Sequence, residues 1–237
     1  MEREITMFVH SFWFALLAVL LLSQCAQRPV ERRSAIVPSH SAELAASHGL
    51  VDVRRFLPDV AVDLRYGTRF NIARQPLYPP DMPCLLRRST ALKLKRVQER
   101  LRKQGYALRI WDAWRPPEVQ LSLMKKGGNT GMFLDPRVGW SRHCSGVAVD
   151  VTLIDLEGRE QRLPTSHDEA GDRAYFQYSG NDPVVKRNVD ILQSTMAAEG
   201  FSTIPLEWWH FDDKEWFYSP PPAVFAKQIG LALPPVY

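Results

Sequence analysis

The stretch Ser141-Arg-His-Cys-Ser-Gly-Val-Ala-Val-Asp-Val-Thr-Leu153 decides how this chain folds. From Gly146 the residues alternate strictly, with Val147, Val149, Val151 and Leu153 on one face and Ala148, Asp150 and Thr152 on the other. That is the period of a strand with one apolar face, and it sends Asp150 away from the apolar side. His143 stands at the mouth of this strand, and Gly146 permits a tight entry between the two. Turn and strand together can bring an imidazole and a carboxylate to one point.

Outward from this strand, β-like runs alternate with helical ones. Val60 to Tyr66 reads as a strand, and Ala107 to Trp111 as another. Ser89 is placed to cap a helix running to about Gln104, with Leu94, Val97 and Leu101 on one face and Gly105 as its stop. Pro116-Pro117 suits the first turn of a short helix through Lys126, followed by a polar, Gly-rich loop to Gly139. Asp182-Pro183 opens a long helix whose inner stripe is Val185, Val189, Leu192 and Met196, with Gly200 as terminator. Glu207-Trp-Trp-His-Phe211 reads as a strand, and the Pro-rich tail from Ser219 as irregular packing. The fold class that follows is α+β: a single compact domain with a small, mainly antiparallel sheet flanked by helices, and a metal site on the sheet.

A length of 237 residues allows one domain with appendages, and 45% hydrophobic with 11% aromatic residues supplies an ample core. Three Cys without a C-x-x-C pair exclude a disulfide miniprotein and a zinc knuckle, so any metal falls to His and carboxylates. The net charge of +4 is spread among acidic residues, without the basic run of a nucleic-acid footprint; no nucleic-acid partner is expected.

The N-terminus reads as an export signal over residues 1–25. Phe12 to Leu22 is an unbroken apolar run too short to span a bilayer comfortably, preceded by a segment carrying Arg3. Leu22-Ser23-Gln24-Cys25 resembles a bacterial lipoprotein box, in which a lipidated Cys25 would attach the mature chain to the membrane, although Gln24 replaces the usual small residue. Cleavage by ordinary signal peptidase and a retained anchor are the other readings. Residues 26–49 contain no aromatic residue and read as a tether, leaving 50–237 as the folded domain. The expected location is the bacterial periplasm or cell envelope, where Cys84 and Cys144 either pair or remain separate buried thiols.

Of six His residues, His10 falls in the signal and His40 and His48 in the tether, which leaves His143, His167 and His210 inside the domain. His143 and Asp150 with His210 would make a three-ligand zinc site with its fourth position open. The bland alternatives are a structural His–carboxylate hydrogen bond and, for His210, a core His beside Trp208 and Trp209. Glu207 shifts the balance, because water attacking a carbonyl beside zinc needs a carboxylate to take its proton. On an ideal strand Glu207 and His210 point to opposite faces, so the segment must bend or bulge if both serve one site. Arg115, between Trp114 and Pro116, can stabilise an oxyanion or else stack as structure.

The segments SRHCSGVAVDVTL, PLEWWHF, IWDAWRPP and VDLRYGTRFN, spread over roughly residues 50–217, resemble the VanX-type D-alanyl-D-alanine dipeptidases, zinc enzymes related to D,D-carboxypeptidases. The resemblance implies one zinc per chain on His143, Asp150 and His210, Glu207 as general base and Arg115 as stabiliser of the transition state. It also implies Tyr66 and Ser141 beside a small D,D-dipeptide substrate, with Asp168 on the substrate's free amino group. Two departures stand out: His167 precedes Asp168 where an aromatic is usual, and Cys144 follows the ligand His143. A D,D-carboxypeptidase acting on longer wall peptides shares this chemistry but needs an open groove. A zinc-bearing module used only for binding would have no need of Glu207 and Arg115.

Overall fold

The computed structural model describes residues 40–127 and 130–235; the expected signal, Cys25 and the tether as far as residue 39 lie outside them. In chain order the described elements are α1 (His40–Ser47), β1 (Leu50–Asp52), β2 (Ala61–Val62), β3 (Leu85–Arg87), α2 (Arg88–Arg102), β4 (Tyr106–Asp112), α3 (Pro117–Lys126), β5 (Ala148–Asp155), α4 (Pro183–Ala198), β6 (Phe201–Ile204) and β7 (Glu207–Asp213). The main sheet has the order β2-β4-β5-β7-β6; β2 runs parallel to β4 and the other three pairings are antiparallel. A separate pair, β1 with β3, is antiparallel. The α+β class with a mainly antiparallel sheet is the one expected.

The alternation in β5 becomes two different environments. Val149, Val151 and Leu153 join Leu108, Ile110 and Phe211 in a core closed by Leu94, Val97 and Leu101 of α2 and Leu192 and Met196 of α4. Truncating any of these leucines to Ala costs on the order of 2–5 kcal/mol. The opposite face of β5 carries Asp150. The helix ends follow local chemistry: Asp182 Oδ1 accepts from the backbone N–H of Val184 and Val185 to start α4. Gly105, at φ +83°, ends the turn after α2.

Three expectations are corrected. The end of the proposed tether is not a linker: residues 40–47 form α1, whose Ala42 and Ala45 are buried beside Ile229 and Leu231. Small apolar residues three apart bury a narrow stripe that composition does not flag. The strand expected over Val60–Tyr66 is cut to Ala61–Val62, because the chain turns into a 3₁₀ helix at Arg65–Gly67 that buries Tyr66 completely. Ser89 does not cap α2, which begins after Arg87; its hydroxyl accepts from Trp216 Nε1.

Cys84 and Cys144 are both buried free thiols, which settles their two readings in favour of separate side chains. Burial pushes the Cys144 thiol up to about 12 and the Cys84 thiol higher still, so neither is a ready nucleophile.

Candidate active site

Strand register assembles the site. Asp150 in β5 pairs directly with His210 in β7, so the two side chains share the face opposite the α2–α4 core. Across the other edge of β5, Ile110 pairs with Val151 but Asp112 pairs with Asp150. The extra residue is Trp111, and this bulge turns Asp112 onto the face of Asp150. His143 arrives from the 3₁₀ turn Arg142–Ser145, where the Ser141 hydroxyl accepts from His143 N–H and Gly146, at φ +71°, closes the turn. A Cβ on Gly146 would collide with Leu50 Cδ2, so the tight entry requires glycine.

His143, Asp150 and His210 are the group able to hold a metal ion among the described residues, with one ligand atom from each lying within 4.8 Å of the others. His143 Nε2 lies 3.1 Å from His210 Nδ1, and Asp150 Oδ1 lies 3.2 Å and 3.0 Å from these nitrogens. The remaining ring nitrogens reveal the tautomers. His143 Nδ1 is 2.6 Å from the Ala113 carbonyl and His210 Nε2 is 2.9 Å from Asp212 Oδ1. Both partners accept, so each of these nitrogens carries its proton, leaving Nε2 of His143 and Nδ1 of His210 to offer lone pairs to one point. Two imidazole lone pairs facing each other beside a carboxylate oxygen require a cation between them, either a proton or a metal ion.

The electrostatics agree. Asp112, Asp150, Glu207 and Asp212 are all buried here, against one fully buried cation, Arg115. Burial raises the Asp150 pKa, but His143 and bonds from the neighbouring imidazoles outweigh it and hold the carboxyl well below the usual range. Burial lowers the His210 pKa, but Asp212 and Asp150 outweigh it and carry the imidazole well above its ordinary value. Glu207 is different: burial dominates and pushes its carboxyl up to about 7. Its Oε2 lies 3.9 Å from His210 Nδ1.

Arg115 is held on three sides. Its Nε donates to Asp112 Oδ2 at 2.8 Å, Nη1 to Gln120 Oε1 at 2.9 Å and Nη2 to Asp150 Oδ2 at 3.4 Å, while the guanidinium lies 4.7 Å from the Tyr66 ring centre. Arg115, Tyr66, Ser141, His143, Glu207 and His210 line one cavity of about 330 Å³, together with Met132, Phe133, Leu134 and Trp140.

Residues 46–228 match the M15 peptidase family, described as D-ala-D-ala dipeptidase. The chain belongs to the M15 peptidase family. This M15 peptidase is 31% identical over 163 residues to the D-alanyl-D-alanine dipeptidase of Escherichia coli K12, an alignment covering 69% of this chain and 83% of that protein. It is 25% identical over 183 residues to the D-alanyl-D-alanine dipeptidase of Enterococcus faecalis V583, covering 69% and 91% of the two chains. With the Streptomyces coelicolor protein of the same description it shares 30% over 148 residues, 52% of this chain and 69% of the other.

The fold of this M15 peptidase brings seven of the eight sequence-derived site residues to one cavity or its ligand group: His143, Asp150, His210, Glu207, Arg115, Tyr66 and Ser141. Asp168 stands behind Tyr66. Its Oδ1 accepts from the Tyr66 hydroxyl at 3.0 Å and its Oδ2 from Ile72 N–H at 3.1 Å, and its backbone sits at φ +60°, which is strained for a non-glycine residue. It lines a neighbouring cavity of about 890 Å³ that shares no lining residue with the first.

Sequence reasoning passed over Asp112, Asp212 and His167 as site residues. Asp212 had a readable signal, since it follows His210 by two on a strand and therefore shares its face. Arg142 Nε lies 3.1 Å from its Oδ2 and steadies it. Asp112 precedes Arg115 by three, but only the bulge at Trp111 aims it.

Proposed function

We propose that this M15 peptidase is a zinc-dependent D,D-dipeptidase that hydrolyses D-alanyl-D-alanine or a similar dipeptide. The observation that carries the reading is the convergence of His143 Nε2, Asp150 Oδ1 and His210 Nδ1, with the other nitrogen of each ring held by an oxygen acceptor. Two imidazoles and one carboxylate are a catalytic zinc donor set with room for a further ligand. Zinc held there would supply Lewis acidity to the scissile carbonyl and make water a nucleophile near neutral pH.

The chain's own residues supply the rest. Glu207, beside His210 and with its pKa raised by burial, takes the proton of the attacking water and returns it to the leaving amine. Arg115, held rigid by Asp112 and Gln120, stabilises the negative charge developing on the carbonyl oxygen. Ser141 and Tyr66 line the cavity where the dipeptide lies, and Asp168, in the adjoining cavity and one hydrogen bond behind Tyr66, is the carboxylate for the substrate's ammonium group once its Oδ1 gives up the Tyr66 hydroxyl. A volume of about 330 Å³ is at the small end of ligand cavities and is on the scale of a dipeptide rather than of a longer wall peptide.

We also propose export, with Cys25 lipidated or the signal removed by ordinary cleavage; the support is the apolar run Phe12–Leu22 and the box ending at Cys25. Mass spectrometry of the mature N-terminus tests this, and a terminus at Met1 overturns it. For the enzymatic reading, metal analysis should find one zinc per chain. His143→Ala, Asp150→Ala and His210→Ala should each lose it together with D-alanine release. Full zinc occupancy in all three variants overturns the ligand assignment.

A further inference from the structure

The two oxygens of Asp150 have different partners. Oδ1 faces His143 and His210, whereas Oδ2 faces away from them toward His167 Nε2 at 3.1 Å and Arg115 Nη2 at 3.4 Å. His167 lies in the segment between β5 and α4, outside the three-residue ligand group, with its side chain only 1% exposed. Its ring packs against Tyr66, Trp111 and Trp209, with centroids 5.3, 5.5 and 5.7 Å away. Nδ1 has no hydrogen-bond partner; the nearest acidic oxygen, Asp168 Oδ1, is 3.7 Å distant.

An apolar ring would fill such an aromatic box without leaving a polar atom unsatisfied, so the single bond that His167 makes there is what a histidine adds. Arg115 is a poor substitute for that bond. Its contact with Oδ2 is longer, and its guanidinium is committed to Asp112 and Gln120 at 2.8 and 2.9 Å. A carboxylate with a free second oxygen can rotate or bind a metal through both oxygens, whereas one whose second oxygen is held presents a single oxygen in a fixed direction.

We propose that His167 is a positioning residue: by donating from Nε2 to Asp150 Oδ2, it confines Asp150 to a one-oxygen ligand through Oδ1 and thereby raises the metal affinity of the site. The proposal rests on the metal-site reading above, and its test separates the two.

The experiment compares wild type with His167→Phe, His167→Met and His167→Gln. It measures the zinc dissociation constant by competition with a chromophoric chelator, the visible absorption of the cobalt(II)-loaded protein, and the melting temperature of each metal-free protein. Phe and Met keep the ring-sized volume without the donor, and should weaken zinc binding roughly 10–100-fold and alter the cobalt spectrum. Gln keeps a donor near the position of Nε2 and should restore most of the affinity. Should His167→Phe fail to fold, the Met and Gln pair carries the comparison. Wild-type zinc affinity and an unchanged cobalt spectrum in Phe or Met would overturn the positioning role, even if the metal-free proteins melt lower, because His167 would then serve packing alone. A wild-type protein that binds no zinc would overturn the metal-site reading and this proposal with it.

Discussion

Glu207 and His210 are three residues apart in β7, yet Glu207 Oε2 lies 3.9 Å from His210 Nδ1, on the same side of the strand. The ladder between β6 and β7 explains it. Thr203 pairs with Phe211 while the next residue, Ile204, pairs with Glu207, so Trp208, Trp209 and His210 bulge out between them. The bulge sets a buried carboxylate beside a ligand nitrogen without making it a member of the three-residue ligand group.

Removing the Glu207 charge should therefore spare the metal and stop the reaction. Glu207→Gln keeps the shape and should bind zinc as wild type does, with turnover of D-alanyl-D-alanine lowered on the order of a hundredfold or more. Metal analysis alongside steady-state kinetics decides it. Loss of zinc in the variant would instead make Glu207 a ligand.

Arg115 calls for a gentler substitution than alanine. It is paired with Asp112 and Asp150 in the interior, and deleting one partner of a buried ion pair costs roughly 3–5 kcal/mol. Arg115→Lys keeps the charge but not the three-way fork, and should fold while lowering kcat by about two orders of magnitude, the scale of a lost oxyanion donor. An unchanged kcat would return Arg115 to a structural role.

Zinc binding should release protons. Burial opposes charge on His210, but Asp212 and Asp150 prevail and raise its pKa well above the ordinary histidine value, so the metal-free imidazole holds an extra proton at neutral pH. Zinc must displace that proton, and apparent affinity should therefore fall as pH falls. Calorimetric titration at pH 7 in buffers of differing ionisation enthalpy should report about one proton released per zinc. A heat independent of the buffer would contradict the assignment.

Gly146 carries a structural prediction. At φ +71° and against Leu50, any side chain is both strained and crowded, so Gly146→Ala should destabilise the fold by about 1–3 kcal/mol. Denaturant unfolding measures this, and a shift of the His143 turn should weaken zinc binding in the same variant.

Much of this arrangement was readable from residue order. Alternation in Val147–Leu153 assigned Asp150 its face, Asp182-Pro183 and Gly200 bracketed α4, and the Glu207–His210 spacing demanded the irregularity that the ladder contains. What escaped reading depended on contacts distant in sequence. The 3₁₀ turn that buries Tyr66 is fixed by Leu77 and Tyr78, whose N–H groups both donate to the Tyr66 carbonyl. Helix α1 is legible only once Ile229 and Leu231 cover its alanines. His167 reaches Asp150 through a loop that has no periodicity to read, and the bulge at Trp111 leaves no local mark.

The most direct test of the dipeptidase reading is the rate of D-alanine release from D-alanyl-D-alanine and from its N-acetyl derivative by the zinc-loaded protein, with a chelator-stripped sample beside it. In the proposed complex the buried Asp168 carboxylate takes the substrate's ammonium group, and blocking the amine removes that cationic partner, which costs several kcal/mol. The free dipeptide should be cleaved, the acetylated one roughly a hundredfold or more slower, and the stripped protein should be inactive until zinc is restored. Equal rates on the free and acetylated substrates would contradict the dipeptidase reading, and undiminished activity after stripping would contradict its dependence on zinc.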